Sequence, residues 1–123
     1  MRLDHTLIPA LDKEKSAKFI AAIMNADYIG VVGEQALVRV NDVMYRFDER
    51  RDGRIHLAFH LSTEEFDQTI GRLRVLGTNF GPRANQLDGQ IGELDGGPRI
   101  FFEDPGGQSW ELLTVPSVNV PGS

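Results

Sequence analysis

The chain has 123 residues, no cysteine and a formal net charge of −5. That length is enough for one domain with its own hydrophobic core, and the lack of cysteine excludes disulfides and thiolate metal sites. The negative charge repels a phosphate backbone, so we do not expect a nucleic-acid partner. The first residues carry charges and no long apolar run, which predicts a cytoplasmic protein with neither a signal peptide nor a membrane span.

The first half of the chain predicts a strand, a helix and three more strands. Pro9 favours an extended conformation for "LDHTLIPAL". Asp12 can cap the helix that follows, whose inner face would be Phe19, Ile20, Ile23 and Met24. The segments "YIGVVG", "ALVRV" and "VMYRF" then predict three strands, with Asn41-Asp42 as the hairpin turn between the last two.

The second half begins with two histidines, His56 and His60, whose spacing fits a helix as well as a strand. Ser62 to Glu65 form a capping box, which predicts a helix over about residues 63–76 that Gly77 closes. The preceding "IHLAFHL" is therefore predicted to be a strand. Because strand side chains alternate, the two histidines share one face with Ala58 and would line a polar cavity.

The end of the chain predicts a short strand at "TNF", then a loop, two further strands and a tail. The glycine-rich segment of about residues 81–97 shows no apolar period and predicts a lid or binding loop. "RIFFE" and "SWELLTV" predict strands on either side of the turn at Asp104–Gly107. The segment from about residue 116 to 123 is predicted to be a flexible tail. Each half thus follows the order strand, helix, strands, which is a weak internal repeat.

In these motifs the chain resembles the vicinal oxygen chelate superfamily, the glyoxalase, bleomycin-resistance and extradiol-dioxygenase group. The matching stretches are "LDHTLIPALDKEKSAKFIAAIM", "IHLAFHLSTEEFDQTIGRLRVLG" and "RIFFEDPGGQSWELLT". The resemblance implies an α+β fold of two βαβββ modules that form a glyoxalase-like cup. It implies one domain over about residues 1–115, with modules of about 1–50 and 55–115. It also implies a homodimer.

The resemblance further implies a metal site. The family's ligand positions match His5, His56 and Glu111, which would bind one divalent ion per site (Zn, Fe, Mn or Ni). Two imidazoles and a carboxylate form a facial triad that leaves coordination positions open. The residues alone also allow a structural role, in which Glu111 pairs with Arg99 or Arg39.

Other side chains are candidates for the pocket. His60 is a candidate general base, or a hydrogen-bond partner of a metal ligand, or a polar residue without a catalytic part. Phe101 and Glu103 share a strand face and are predicted to line the substrate pocket. Tyr45 is a further pocket candidate from the first module, although the facing of its strand is open. Glu111 is a candidate catalytic base in addition to its metal role.

The resemblance implies a metal-dependent enzyme of lyase, isomerase or dioxygenase type that acts on a small oxygenated substrate. The alternative is a metal-free protein that binds a small molecule or an antibiotic, as bleomycin-resistance proteins do. Two positions depart from named enzymes. Glyoxalase I needs a fourth ligand where "VMYRFDE" offers only Asp48 and Glu49, and fosfomycin-modifying enzymes have a threonine where this chain has Leu7.

Overall fold

The computed structural model describes residues 1–115, and the predicted tail lies outside them. The chain divides into two compact units. Unit one comprises Met1–Ile55 and Asp104–Gln108, and unit two comprises His56–Glu103 and the segment from Ser109 onward. Each unit contains one helix and one small sheet. The predicted α+β fold class is therefore confirmed.

Unit one has the predicted order of elements, a strand and a helix followed by three strands. These are β1 (His5–Pro9), α1 (Lys13–Met24), β2 (Asp27–Val32), β3 (Gln35–Val40) and β4 (Val43–Asp48). The strand order is β1-β4-β3-β2, with β1 parallel to β4 and the other pairs antiparallel. Asp12 caps α1 by accepting a hydrogen bond from the Lys15 backbone N–H at 3.1 Å, as predicted. The helix ends at Asn25, which has the left-handed φ of 52°.

One face of the unit-one sheet is buried. Ile8, Val38 and Phe47 are fully buried on that face, and Ile20 of α1 is also fully buried. The opposite face carries polar side chains, among them His5 at the start of β1. Strand alternation in unit one therefore places His5 on the face opposite the core.

Unit two contains the predicted strand and helix, and it has more strands than expected. Its elements are β5 (His56–His60), α2 (Thr63–Val75), β6 (Phe80–Gly81), β7 (Gly92–Leu94), β8 (Gly97–Glu103) and β9 (Ser109–Leu113). The sheet has the order β5-β9-β8-β6, and β7 also pairs with β8. The capping box is present, because Ser62 and Glu65 exchange backbone-to-side-chain hydrogen bonds of 3.0 and 3.1 Å. No helix in residues 1–115 is long and apolar enough to span a membrane.

The segment predicted as one long loop is partly strand. Gly81 belongs to β6 and lies opposite Phe101 of β8. Strand β7 forms a hairpin with β8 through Asp95 and Gly96, whose φ angles are 50° and 83°. Both strands are short and rich in glycine, so they have no periodic apolar pattern for sequence reasoning to detect. The prediction of a continuous loop was wrong for these residues.

The core of unit two is built around Trp110, which is fully buried. Its ring stacks with Phe59 at a centroid distance of 5.9 Å and with Phe102 at 6.3 Å. Because side chains alternate along β9, Trp110 and Leu112 face this core and Glu111 lies on the opposite face. The sheet thus fixes the direction of Glu111.

Candidate functional site

His56 and Glu111 meet on neighbouring strands of unit two. Strands β5 and β9 are parallel and place His56 beside Ser109 and Ala58 beside Glu111. The Nε2 atom of His56 lies 2.9 Å from Oε1 of Glu111, and its Nδ1 atom lies 3.1 Å from Oγ of Ser109. The His56 side chain is 47% exposed and that of Glu111 11% exposed. The pair is thus anchored in the sheet and open to solvent on the imidazole side.

Arg99 and Phe101 of β8 complete this side-chain cluster. Nη1 of Arg99 lies 3.6 Å from Oε2 of Glu111, and the guanidinium carbon lies 5.2 Å from the centre of the Phe101 ring. The Phe101 and His56 rings are 5.8 Å apart and inclined by 33°. The Arg99 contact is one of the two pairings that the sequence left open for Glu111. It explains how the sheet accommodates a nearly buried carboxylate.

The geometry of His56 and Glu111 suits two ligands of one metal ion. Nitrogen and oxygen donors bind divalent ions such as Zn²⁺ at about 2.0–2.2 Å. Two donors 2.9 Å apart can therefore bind the same ion at adjacent coordination positions. Within residues 1–115 there is no group of three or more His, Asp or Glu side chains that could hold an ion. The structure thus brings together two of the three predicted ligands.

His5, the remaining predicted ligand, lies in unit one at the first position of β1. Its Nδ1 atom lies 2.9 Å from Oδ2 of Asp4, and this hydrogen bond lowers the pKa of the Asp4 carboxyl. The His5 side chain is 47% exposed, so its ring is accessible. Its role as a metal ligand stays a prediction.

His60 and Glu103 lie on the same face of the unit-two sheet as Glu111. Nε2 of His60 lies 3.1 Å from the Thr114 carbonyl oxygen. Glu103 is exposed at the end of β8, opposite Ser109. The catalytic role of His60 and the pocket role of Glu103 stay predictions.

Tyr45 lies on the core face of unit one and not on the face that carries His5. It is buried, and it alternates with Arg46 along β4. Burial raises the pKa of its hydroxyl to about 12. The sequence contains the signal that settles this facing, because Tyr45 and Phe47 alternate with the polar Arg46 and Asp48.

A polar network in unit one was missed by sequence reasoning. Asp48 is buried and accepts hydrogen bonds from Arg50 at 2.8 Å and from Gln35 at 3.0 Å. Gln35 in turn accepts a hydrogen bond from Nη1 of Arg46 at 3.1 Å. Oδ1 of Asp48 also accepts a hydrogen bond from Arg50 Nε at 3.0 Å, so both carboxylate oxygens are bonded within the unit, which makes Asp48 a poor fourth metal ligand. The sequence does show polar residues on both strands. Which of them lie opposite each other depends on the register between β3 and β4, which the sequence does not give.

The two units show corresponding strand registers. Arg46 pairs with the third residue of β1, as Glu111 pairs with the third residue of β5. Unit one therefore has an arginine at the position where unit two has its carboxylate. Unit one also contains a pocket of about 100 Å³ next to Pro9, Gly53 and Gln108, and no predicted site residue lines it.

No protein-family model matches the chain, and no curated protein matches it in sequence. Solved structures do. The chain is similar to the oxidase ChaP-H2, with 33% identity over 94% of each chain and a TM-score of 0.84. It is similar in fold to lactoylglutathione lyase from Agrobacterium tumefaciens, with 17% identity over 92% of each chain and a TM-score of 0.71. It is also similar in fold to a glyoxylase/bleomycin resistance protein/dioxygenase domain from Frankia sp. EAN1pec, with 16% identity, a TM-score of 0.62, and 97% of this chain and 93% of that chain covered.

Proposed function

Because the chain belongs to the vicinal oxygen chelate superfamily, we propose that it is a metal-dependent enzyme that acts on a small oxygenated substrate. The observation that carries this proposal is the 2.9 Å approach of His56 Nε2 to Glu111 Oε1 on adjacent strands. Two donors of different chemistry converge there on a partly open face. Such a pair is suited to bind a divalent cation together with a third ligand and a substrate.

His56 and Glu111 would hold the ion with His5 as the third protein ligand. When bound, a Zn, Fe, Mn or Ni ion would act as a Lewis acid that stabilises an oxyanion or enolate of the substrate. Ser109 would fix the orientation of the His56 ring through Nδ1. Glu111 would contribute negative charge and could accept a substrate proton, and His60 is the second candidate base. Phe101, beside His56, would form part of the pocket wall, and Glu103 would lie at its edge.

Among the reaction types that the family allows, oxidation has the most support. The oxidase ChaP-H2 shares 33% of its residues with this chain, whereas the lactoylglutathione lyase shares 17%. The glyoxalase I assignment also has less support because Asp48 is bonded to Arg50 and Gln35. We therefore propose oxidase or dioxygenase chemistry ahead of lyase or isomerase chemistry, with O₂ as the oxidant and a redox-active ion such as Fe rather than Zn, which has no redox chemistry.

A metal-free binding protein is the second candidate, and one observation favours it. Glu111 has His56 at one oxygen and Arg99 at the other. Arg99 thus compensates the charge of the Glu111 carboxylate, as its burial requires, and no metal ion is needed for this. In this alternative the same face would bind a small molecule without turning it over.

Metal titration of the purified protein and two histidine variants tests the proposal. Wild type should bind close to one divalent ion per chain, measured by calorimetry and elemental analysis. His56→Ala should abolish binding, since two remaining ligands make too weak a site. His60→Ala is the matched control and should retain the ion, because that ring contacts the Thr114 carbonyl instead. Wild type without metal affinity would leave the metal-free alternative, and binding that survives His56→Ala would contradict the assignment of His56 as a ligand.

A further inference from the structure

The guanidinium of Arg99 is held at the edge of the candidate site by two neighbours. The ring of Phe101 lies beneath it at 5.2 Å, and Oε2 of Glu111 lies 3.6 Å from Nη1. That ion-pair distance is longer than the 2.7–2.9 Å typical of a charge-assisted hydrogen bond. The Arg99 side chain is 26% exposed, so part of the guanidinium can still be reached from outside.

The Nε atom of Arg99 is buried, and nothing within residues 1–115 accepts a hydrogen bond from it. A buried donor without an acceptor costs free energy. The two Nη groups of a guanidinium form a planar fork that binds both oxygens of a carboxylate, and they lie at the end of the side chain that a ligand can reach. Arg99 thus has donors to offer beyond its loose contact with Glu111.

We propose that Arg99 binds an acidic group of the ligand, so that the substrate is a planar carboxylate or a comparable anion. The inference rests on the proposed function for the location of the site. The Phe101 ring lies 5.2 Å from the Arg99 guanidinium and 5.8 Å from the tilted ring of His56, which places a cation and two flat rings beside each other. A flat, negatively charged molecule matches that surface in shape and in charge.

Glu111 couples this anion site to metal binding. Its Oε2 atom faces Arg99 in the structure. If Glu111 binds the proposed metal ion, the ion neutralises part of its negative charge and the carboxylate attracts Arg99 less. An anionic group of the ligand can then pair with the guanidinium. Metal and anionic ligand should therefore strengthen each other's binding through Arg99.

Benzoate and benzamide are a suitable pair of probes, because they share shape and differ in charge. Calorimetry would compare both on wild type, Arg99→Gln, Arg99→Lys and Arg74→Gln, with and without Mn²⁺. Arg74 is the matched control, since its guanidinium also lies over a ring, at 5.8 Å from Phe80, but is exposed on α2. Wild type and Arg74→Gln should prefer benzoate by about tenfold or more. Arg99→Gln should lose that preference, and Arg99→Lys should retain only part of it because lysine lacks the fork.

Equal affinity of wild type for both probes, or no binding of benzoate, would overturn the inference. So would a preference that Arg99→Gln retains in full. Arg99→Lys keeps a cation beside Glu111 and supplies the test if Arg99→Gln does not fold. Failure of Mn²⁺ to bind wild type would count against the proposed function alone, because the probes are also compared on metal-free protein.

Discussion

In the proposed mechanism, Glu111 serves both as a metal ligand and as a base. Trp110 and Leu112, which flank Glu111 in sequence, are buried in the core, and the Glu111 carboxylate on the opposite face points towards His56 and Arg99. A carboxylate in this position can bind a cation or accept a proton, and a neutral amide of the same size can do neither well at neutral pH.

Glu111→Gln should therefore retain the fold and lose function. Trp110 supplies a fluorescence signal that reports whether the core of unit two is intact. For a metal enzyme we expect turnover of a substrate found by ligand screening to fall by about 10²-fold or more. For a metal-free binder, ligand affinity should change by only about 1–3 kcal/mol. Equal turnover by a folded variant would remove Glu111 from the mechanism.

Ser109→Ala tests the orientation of His56. The Ser109 hydroxyl lies 3.1 Å from Nδ1 of the ring, and partners of this kind set the tautomer and direction of a metal-binding imidazole. Removing it should weaken metal affinity by about 10–100-fold while His56 remains present. Unchanged affinity in a calorimetric titration would show that the strand alone positions the ring.

The sequence alone predicted which strand faces carry the side chains of the cluster around Glu111. Alternation along three strands is local information, and it was enough to place His56, Phe101 and Glu111 on their faces. The choice of Arg99 over Arg39 as the partner of Glu111 needed the register between β8 and β9, which no local pattern contains. The facing of Tyr45, by contrast, follows from the polar residues Arg46 and Asp48 that alternate with Tyr45 and Phe47 along β4.

Helix α2 begins at a capping box, and its stability should depend on Ser62. The hydroxyl accepts a hydrogen bond from the Glu65 backbone N–H at 3.1 Å. Ser62→Ala leaves that donor unpaired, and we expect the free energy of unfolding to fall by about 1 kcal/mol. Urea denaturation measures the change. Thr63→Ala, at the first helical position, is the control and should have a smaller effect.

Strand β4 ends in a carboxylate whose ionisation stabilises unit one. Hydrogen bonds from Arg50 and Gln35 hold the pKa of Asp48 below its usual range. The folded state thus favours the ionised form, so this contribution is complete above the unfolded pKa of about 3.9 and is lost as the pH falls below it. Asp48→Asn should lower the Tm at pH 7 by several degrees, with a smaller difference near pH 3.

Thermal denaturation of wild type and Asp48→Asn across this pH range measures the effect. Asp67→Asn, at an exposed position of α2, is the control and should show no such pH-dependent difference. A Tm difference between wild type and Asp48→Asn that stays constant down to pH 3 would contradict the role of the ionised carboxylate.

Elements with strong local signals were predicted well, and elements defined by their partners were not. Asp12 and the Ser62 capping box fixed the helix starts because capping is a contact within one turn. Strand β7 (three residues, beginning at Gly92) was not predicted, and the two-residue β6 overlaps the predicted short strand at residues 78–80 only at Phe80. They exist because β8 offers them hydrogen bonds, and that information is not contained in their own residues.

For the whole molecule we expect a homodimer in which each site combines His5 of one subunit with His56 and Glu111 of the other. A twofold arrangement would then give two equivalent sites. Neither His5→Ala nor Glu111→Ala should bind metal alone. After subunit exchange, the heterodimer should have one intact site, which restores about a quarter of the wild-type metal content. No recovery after proven exchange would indicate sites built within one chain.

The most direct test of a metal site at His56 and Glu111 is a crystal structure of wild-type protein with Mn²⁺, in which anomalous scattering locates the ion. We expect a peak within about 2.2 Å of His56 Nε2 and a Glu111 oxygen, with His5 as the third protein ligand. A peak bound by other side chains, or an empty site beside an unchanged contact between His56 and Glu111, would contradict it.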